Sequence, residues 1–308
     1  MMENHHKPVL LQESIDFLIT GKAGVYFEGT LGFGGHSEEI LKRLSPRGIL
    51  VSTDLDTNAF NFSRKKFEGD KRAKLYNFNY SLVDVIAKIE SMEFFDGILV
   101  DLGVSSFQLD NSEAGFSYSA DTKLDMRFDE KLKISAADVV NTFEENDLAG
   151  IIWKYGEERK SKLIARKICE LRKIKNINTT GELKELVSKV MPDRFLRKSL
   201  SRIFQALRIY VNSELDTLKS FLNNSVKVLG KGGRIVVISY HSLEDRVVKE
   251  FFKYENLKCV CPKDVPICIC DKEQTLKIIT RKPVVPADEE IRLNKRARSA
   301  KLRAAERI

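Results

Sequence analysis

The sequence predicts an α/β protein built on a mostly parallel sheet and interrupted by a helical insertion. Three observations predict it. Val25–Ser37 (VYFEGTLGFGGHS) reads as a short apolar strand, a glycine-rich turn and the start of a helix. Apolar runs then alternate with helix-period segments as far as Asp101, the pattern of βαβ units whose strands are covered on both faces. That alternation stops near Leu109, and no strand pattern returns until well after Leu200.

Each element follows from local chemistry. Val9–Leu18 has the spacing of a short amphipathic helix. Val25, Tyr26 and Phe27 favour a strand, which Glu28-Gly29-Thr30 ends. Gly32, Gly34 and Gly35 let the backbone turn tightly and approach a ligand, and His36-Ser37-Glu38-Glu39 opens a helix to about Leu44. Free N–H groups at such a helix start favour an anionic ligand group. Gly48–Thr53 is a second strand ending in Asp54-Leu55-Asp56, about twenty residues beyond the glycines, where this layout places a carboxylate for ribose hydroxyls. A helix over Thr57–Phe67, a third strand over Ala73–Asn79, a helix from Tyr80-Ser81 to Glu90 and a fourth strand over Asp96–Val100 follow. Ligands in such sheets sit at the carboxyl ends of the strands, so Thr30, Asp54, Tyr80 and Asp101 are expected on one rim.

The insertion carries helical stretches at Ser135–Asn141, Glu144–Tyr155, Ser161–Lys173 and Thr180–Val190, the last opened by the cap signal Thr179-Thr180-x-Glu182. One long helix is expected over Lys198–Leu229. Gly230–Gly233 then turns into a fifth strand, Arg234–Ser239, followed by a helix over His241–Phe252, a last strand at Leu276–Arg281 and a basic tail. The expected organisation is a discontinuous domain of residues 1–109 and 200–308 around a helical insert of residues 110–199.

With 43% hydrophobic and 31% charged residues, the chain reads as globular and able to bury a large core. No apolar run approaches the ~20 residues of a membrane span, and Met1–Lys7 lacks the apolar stretch of a signal peptide, so a cytoplasmic protein without membrane association is expected. The net charge is +8. Arg159–Lys175 carries eight basic residues and one acidic, Arg194–Arg208 five and none, and Arg281–Ile308 nine and four. Such clustering is a footprint for a nucleic-acid partner, although single charge runs are often no more than solvated helix faces. Four of the five cysteines form Cys259-x-Cys261-x6-Cys268-x-Cys270. Four thiolates could close a zinc site, but C-x-C pairs are tighter than the usual zinc spacing, and the expectation is reduced thiols and no metal ligand.

A nicotinamide dehydrogenase fits poorly: the third, helix-side glycine of G-x-G-x-x-G is missing, and the insert replaces a second mononucleotide unit. S-adenosylmethionine fits better. The glycine turn can approach its methionine end, Asp54 its ribose and Tyr80 its adenine, with Asp101 near the transferable methyl. The polar stretch Asp101–Gln108 follows strand four, where group transfer needs polar contacts. It holds no cysteine that could serve as a covalent nucleophile. Phe107, Phe116, Tyr118 and Tyr240 are candidates to stack on a flipped base, and His241 is either a helix cap or a base contact. A non-catalytic factor that uses the same basic surfaces and has lost cofactor binding is an alternative that the intact glycine turn and carboxylates disfavour.

EGTLGFGGHS, DGILVDLGVSSFQLD, GFSY with LDMR, YGEERKSKLIARKI, RIFQALRIYVNSEL, GGRIVVISYHSLEDR and NKRARSAKLRAAER together resemble the ribosomal small-subunit RNA cytosine-N4 methyltransferases, the RsmH (MraW) family. The resemblance runs nearly end to end. It implies a class I S-adenosylmethionine-dependent methyltransferase domain (Rossmann-like) with a substrate-recognition insert. It also implies methylation of the exocyclic N4 of a decoding-centre cytosine in 16S ribosomal RNA, within the small ribosomal subunit. Carried over by position, cofactor contacts fall on Gly34, Gly35, His36, Asp54, Tyr80, Asp101 and Gln108, with Asp101 also catalytic. Two positions depart from the family pattern: Tyr80 stands where Phe is usual, and Phe107 stands where Pro is usual.

Overall fold

A computed structural model describes residues 8–104, 114–262 and 268–308. The chain forms two compact units, Met1–Gly103 with Thr217–Ile308, and Val104–Asp216.

The first unit is a seven-stranded sheet in the order β3-β2-β1-β4-β5-β7-β6. Its strands are β1 (Val25–Glu28), β2 (Ile49–Thr53), β3 (Ala73–Tyr76), β4 (Phe95–Asp101), β5 (Leu229–Ser239), β6 (Leu276–Ile278) and β7 (Lys301–Arg307). Strands β1 to β5 pair in parallel, and β7 runs antiparallel to both β5 and β6. Helix α1 (Leu11–Leu18) precedes β1, and α2 (Gly35–Arg43), α3 (Thr57–Lys66) and α4 (Val83–Ile89) follow β1, β2 and β3 in sequence. The mostly parallel sheet expected from the sequence is therefore present.

Strand alternation divides the unit's core in two. Phe27, Val51, Ile98, Val100, Ile235 and Val237 point into one apolar cluster, and Tyr26, Leu50, Leu99, Val236 and Ile238 into the other. Both sets are fully or almost fully buried, and each large side chain withdrawn from water contributes about 1.5–3 kcal/mol. Burial on both faces explains why these strands read as continuous apolar runs.

The second unit is helical: α5 (Ala136–Thr142), α6 (Glu145–Gly156), α7 (Ser161–Arg172), α8 (Thr180–Val190) and α9 (Asp193–Val211). Its core gathers Val139, Leu148, Ile152, Ile164, Ile168, Leu183, Ile203 and Leu207. Thr179 and Glu182 cap α8 reciprocally, as the sequence signal predicts, and Ser135 and Asp138 do the same for α5.

Three expectations are corrected. The single helix over Lys198–Leu229 is two, α9 and α10 (Glu214–Val228). Ser213 takes a left-handed φ of 49°, and the Asn212 amide donates to the carbonyl oxygens of Met126 and Arg208 while accepting the Phe128 N–H. These bonds hold the carboxyl end of α9 in place. Gly230–Gly233 does not interrupt β5, because a register shift opposite Phe95–Gly97 carries the strand through it. The basic tail is largely strand: Arg303 is only 7% exposed and donates to Asp245 at 2.6 Å, so it is not a solvent-facing phosphate contact.

Candidate functional site

The site is the rim at the carboxyl ends of β1, β2 and β4. Strand β1 ends at Glu28, and the chain turns through Gly32 (φ 50°) and Gly34 (φ 75°) into α2. A Cβ on Gly34 would come within 2.5 Å of the Phe67 ring, and one on Gly35 within 2.2 Å of Pro8 Cγ. Positive φ and close packing together require glycine at position 34. The amino end of α2 offers backbone N–H groups and the positive end of the helix dipole to an anionic group.

Two acidic side chains meet this turn. Asp54, just past β2, accepts the Gly32 N–H at 2.6 Å through Oδ2 and the Asp56 N–H at 2.8 Å through Oδ1. Asp101 closes β4; its backbone N–H donates to Thr30 Oγ1 at 2.7 Å, and its Oδ1 accepts the Tyr240 hydroxyl at 2.8 Å. His36 Nδ1, on the first turn of α2, lies 4.0 Å from Asp101 Oδ2. Tyr80 begins a short 3-10 turn and sets its ring edge on Phe221 at 5.2 Å. The space Tyr80 occupies requires Gly29, since a Cβ there would stand 2.6 Å from Tyr80 Cβ. Gly34, Gly35, His36, Asp54, Tyr80 and Asp101 are thus all placed on or beside the rim. Gln108, with Ser105, Ser106 and Phe107, lies outside the described residues.

Glu28 is the rim residue that sequence reasoning missed. It is fully buried; the Ser37 hydroxyl donates to its Oε2, and its Oε1 has no hydrogen-bond partner. Only its position, an acid ending an apolar strand, signalled anything unusual.

The electrostatics of the rim have one dominant cause. Burial pushes the Glu28 carboxyl up to about 8, Asp54 up to about 6 and Asp101 up to about 7. Backbone N–H donors to Asp54 and the Tyr240 hydroxyl on Asp101 pull the other way and do not prevail. No lysine or arginine pairs with any of the three among the described residues. The Tyr240 phenol in turn is raised well above its ordinary range, by burial and then by the Asp101 charge. A rim with excess carboxylate and no fixed cation suits a ligand bearing positive charge, and the α2 terminus beside it suits a carboxylate. S-adenosylmethionine carries both kinds of group, a sulfonium and an ammonium together with a carboxylate, so these residues fit it.

Other candidates resolve differently. His241 caps helix α11 (Ser242–Glu255): its Nδ1 accepts the Glu244 N–H, while Glu244 accepts the N–H groups of Tyr240 and His241. This supports the capping reading and holds Tyr240 in place. Phe116 is buried in the helical core and stacks on Phe128, and Asp125 and Arg127 form a two-pronged ion pair. In the helical unit Arg159, Lys160, Lys162 and Arg166 are exposed. Arg172 is not, and its guanidinium donates to the Val140 and Phe143 carbonyls.

A sequence profile of the MraW methylase family matches residues 3–308. A protein of Caldicellulosiruptor saccharolyticus named ribosomal RNA small subunit methyltransferase H is 49% identical over 304 residues, covering 98% of this chain and 99% of the relative. Proteins of the same name from Fusobacterium nucleatum (46% identical over 306 residues, 99% and 98% covered) and Clostridioides difficile (45% over 311 residues, 100% of both) are similar throughout.

Proposed function

The chain belongs to the MraW methylase family, and from that premise we propose that it methylates the exocyclic N4 of a decoding-centre cytosine in 16S ribosomal RNA of the small ribosomal subunit. Its fold is the class I methyltransferase fold, and S-adenosyl-L-methionine is the methyl donor. The observation that carries the reading is the rim itself: a glycine turn into α2 beside Asp54 and Asp101, which no lysine or arginine among the described residues neutralises.

In this reading Gly34, Gly35 and His36 bind the methionine end, Asp54 the ribose and Tyr80 the adenine; Gln108 is assigned by family position alone. When bound, the cofactor supplies an electrophilic methyl on a positively charged sulfur. The chain's own task is to orient a poor nucleophile, because the N4 lone pair is delocalised into the cytosine ring. Holding reacting atoms at near-attack distance can contribute on the order of 7 kcal/mol or more. Asp101 accepts a hydrogen of the target amino group, raising electron density on nitrogen and taking the proton that transfer releases. Tyr240 and, through it, the α11 cap hold Asp101 in one rotamer. The ionised carboxylate is the working form, and its raised pKa keeps it close to the balance point for proton transfer near neutral pH.

The helical unit binds RNA in this reading, with Arg159, Lys160 and Lys162 on phosphates. The target base leaves its stack to reach Asp101. No helix of the described residues is long and apolar enough to cross a membrane, and a chain acting on ribosomal subunits works in the cytoplasm. The test is transfer of label from radioactive S-adenosylmethionine to small subunits lacking decoding-centre methylation, followed by nucleoside analysis. Label in N4-methylcytidine is expected. Label in another nucleoside, or none while the cofactor binds, overturns the substrate reading.

A further inference from the structure

The segment joining α11 to β6 brings four thiols together. Cys259 Sγ lies 3.4 Å from Cys268 Sγ and 3.6 Å from Cys270 Sγ. Cys268 Sγ lies 3.9 Å from Cys261 Sγ and 3.5 Å from Cys270 Sγ. All four sulfur atoms fall within 4.8 Å of one another. A tetrahedral zinc with Zn–S bonds of about 2.3 Å holds its sulfurs about 3.8 Å apart, and the measured separations cluster around that edge. They are far from the ~2.05 Å of a disulfide, and no one pair is singled out.

Burial does not explain this convergence. Val260 is 45% exposed and Ile269 79% exposed, and Cys259 and Cys268 are themselves exposed, so no apolar core draws the thiols together. Backbone N–H groups also point at sulfur: Val260 N–H at Cys270 Sγ (3.4 Å), Cys261 N–H at Cys259 Sγ (3.3 Å) and Ile269 N–H at Cys261 Sγ (3.4 Å). Such donors stabilise thiolate over thiol and orient the sulfur lone pairs, as outer-shell partners do around metals. The base of the segment is held independently, Glu255 accepting from Lys272 at 3.3 Å and from the Thr275 hydroxyl.

We propose that Cys259, Cys261, Cys268 and Cys270 form a closed, tetrahedral, structural zinc site. Soft thiolate donors in S4 geometry select zinc among the common divalent ions. Four protein ligands leave no open position for water or substrate, so the ion organises the chain leading to edge strand β6 and takes no part in methyl transfer. Binding releases the four thiol protons and exchanges them for one ion, which makes retention of the metal pH-dependent.

The test uses full-length protein prepared without a metal-affinity tag from zinc-replete cells. Elemental analysis is expected to give one zinc per chain, falling to none in Cys261→Ser/Cys268→Ser. If that variant fails to fold, wild-type protein stripped by chelator is titrated with cobalt(II). Saturation at one equivalent, with the charge-transfer absorbance of cobalt thiolate, is then expected, together with four thiols reactive in the stripped protein and shielded in the zinc-loaded one. Zinc-free protein that takes up no cobalt overturns the proposal. Metal uptake that survives loss of the cysteines, or iron in place of zinc, overturns it equally.

Discussion

The helical unit and the rim of the sheet treat acidic side chains in opposite ways. In the helical unit carboxylates are matched: Arg127 holds Asp125 below its ordinary range, the Ser135 hydroxyl and N–H do so for Asp138, and Lys175 does so for Glu182. On the sheet rim Glu28, Asp54 and Asp101 are buried, unpaired with lysine or arginine among the described residues, and raised. A matched carboxylate contributes to its own fold. An unmatched buried one costs stability and is retained where it serves a ligand, which makes the contrast a guide to the site.

The largest effect should come from breaking the rim. Asp101→Ala is expected to lower kcat by at least 10²- to 10³-fold, the scale on which removal of one preorganised polar group acts, with thermal unfolding little changed. Asp101→Asn, which keeps an acceptor for Tyr240, should also remove the rise of kcat/KM through about pH 7 that ionisation of Asp101 gives the wild type. Full activity of either variant at unchanged cofactor affinity would sink the assignment.

Glu28 sharpens the contrast through stability. Its folded pKa, about 8, lies above its ordinary 4.5, so the folded state holds the proton more tightly. The associated stability is complete below about pH 4.5 and is lost as pH rises through about 8. Glu28→Gln should remove that decline while keeping an acceptor for Ser37. Denaturant melts of wild type and variant are expected to diverge, by at most a few kcal/mol, as pH is raised across this window. Parallel curves would show that Glu28 does not titrate there.

On the helical unit the effects should be smaller and of another kind. Lys160→Ala/Lys162→Ala is expected to flatten the log–log salt dependence of RNA binding by about 0.7–0.9 for each phosphate no longer neutralised, leaving cofactor affinity untouched. Arg166 and Lys167 share Glu170, at 3.8 and 2.5 Å, so neutralising them should change the slope less. A slope unmoved by the first pair would return that surface to an ordinary solvated face. The smallest effect should follow from Thr179→Ala, which removes the α8 cap and costs about 1 kcal/mol in thermal unfolding, with methyl transfer unchanged at low temperature.

The same contrast explains what was legible in the sequence. Parallel strands buried on both faces announce themselves as apolar runs, so β1 to β4 and the turn into α2 could be placed from residues alone. Strand β7 could not, because Lys301, Arg303, Glu306 and Arg307 disguise it, and Arg303 is accommodated by Asp245 from a distant segment. The end of α9 at Asn212 was hidden likewise, since its partners Met126 and Phe128 lie more than eighty residues away in sequence. At the site, Asp54 and Asp101 were found by their places at strand ends. Glu28 and the link from Tyr240 to Asp101 arise from packing across the sheet, to which no local pattern points.

We infer that the rim's unmatched carboxylates, Asp101 above all, face the positive charge of the bound cofactor. This is tested most directly by equilibrium binding of S-adenosylmethionine and of S-adenosylhomocysteine, which lacks the sulfonium charge, from about pH 6 to about pH 8 in wild type and Asp101→Asn. The preference for the charged cofactor is expected to rise through about pH 7 in the wild type and to stay flat in the variant. A preference independent of pH, or one that rises equally in Asp101→Asn, would contradict it.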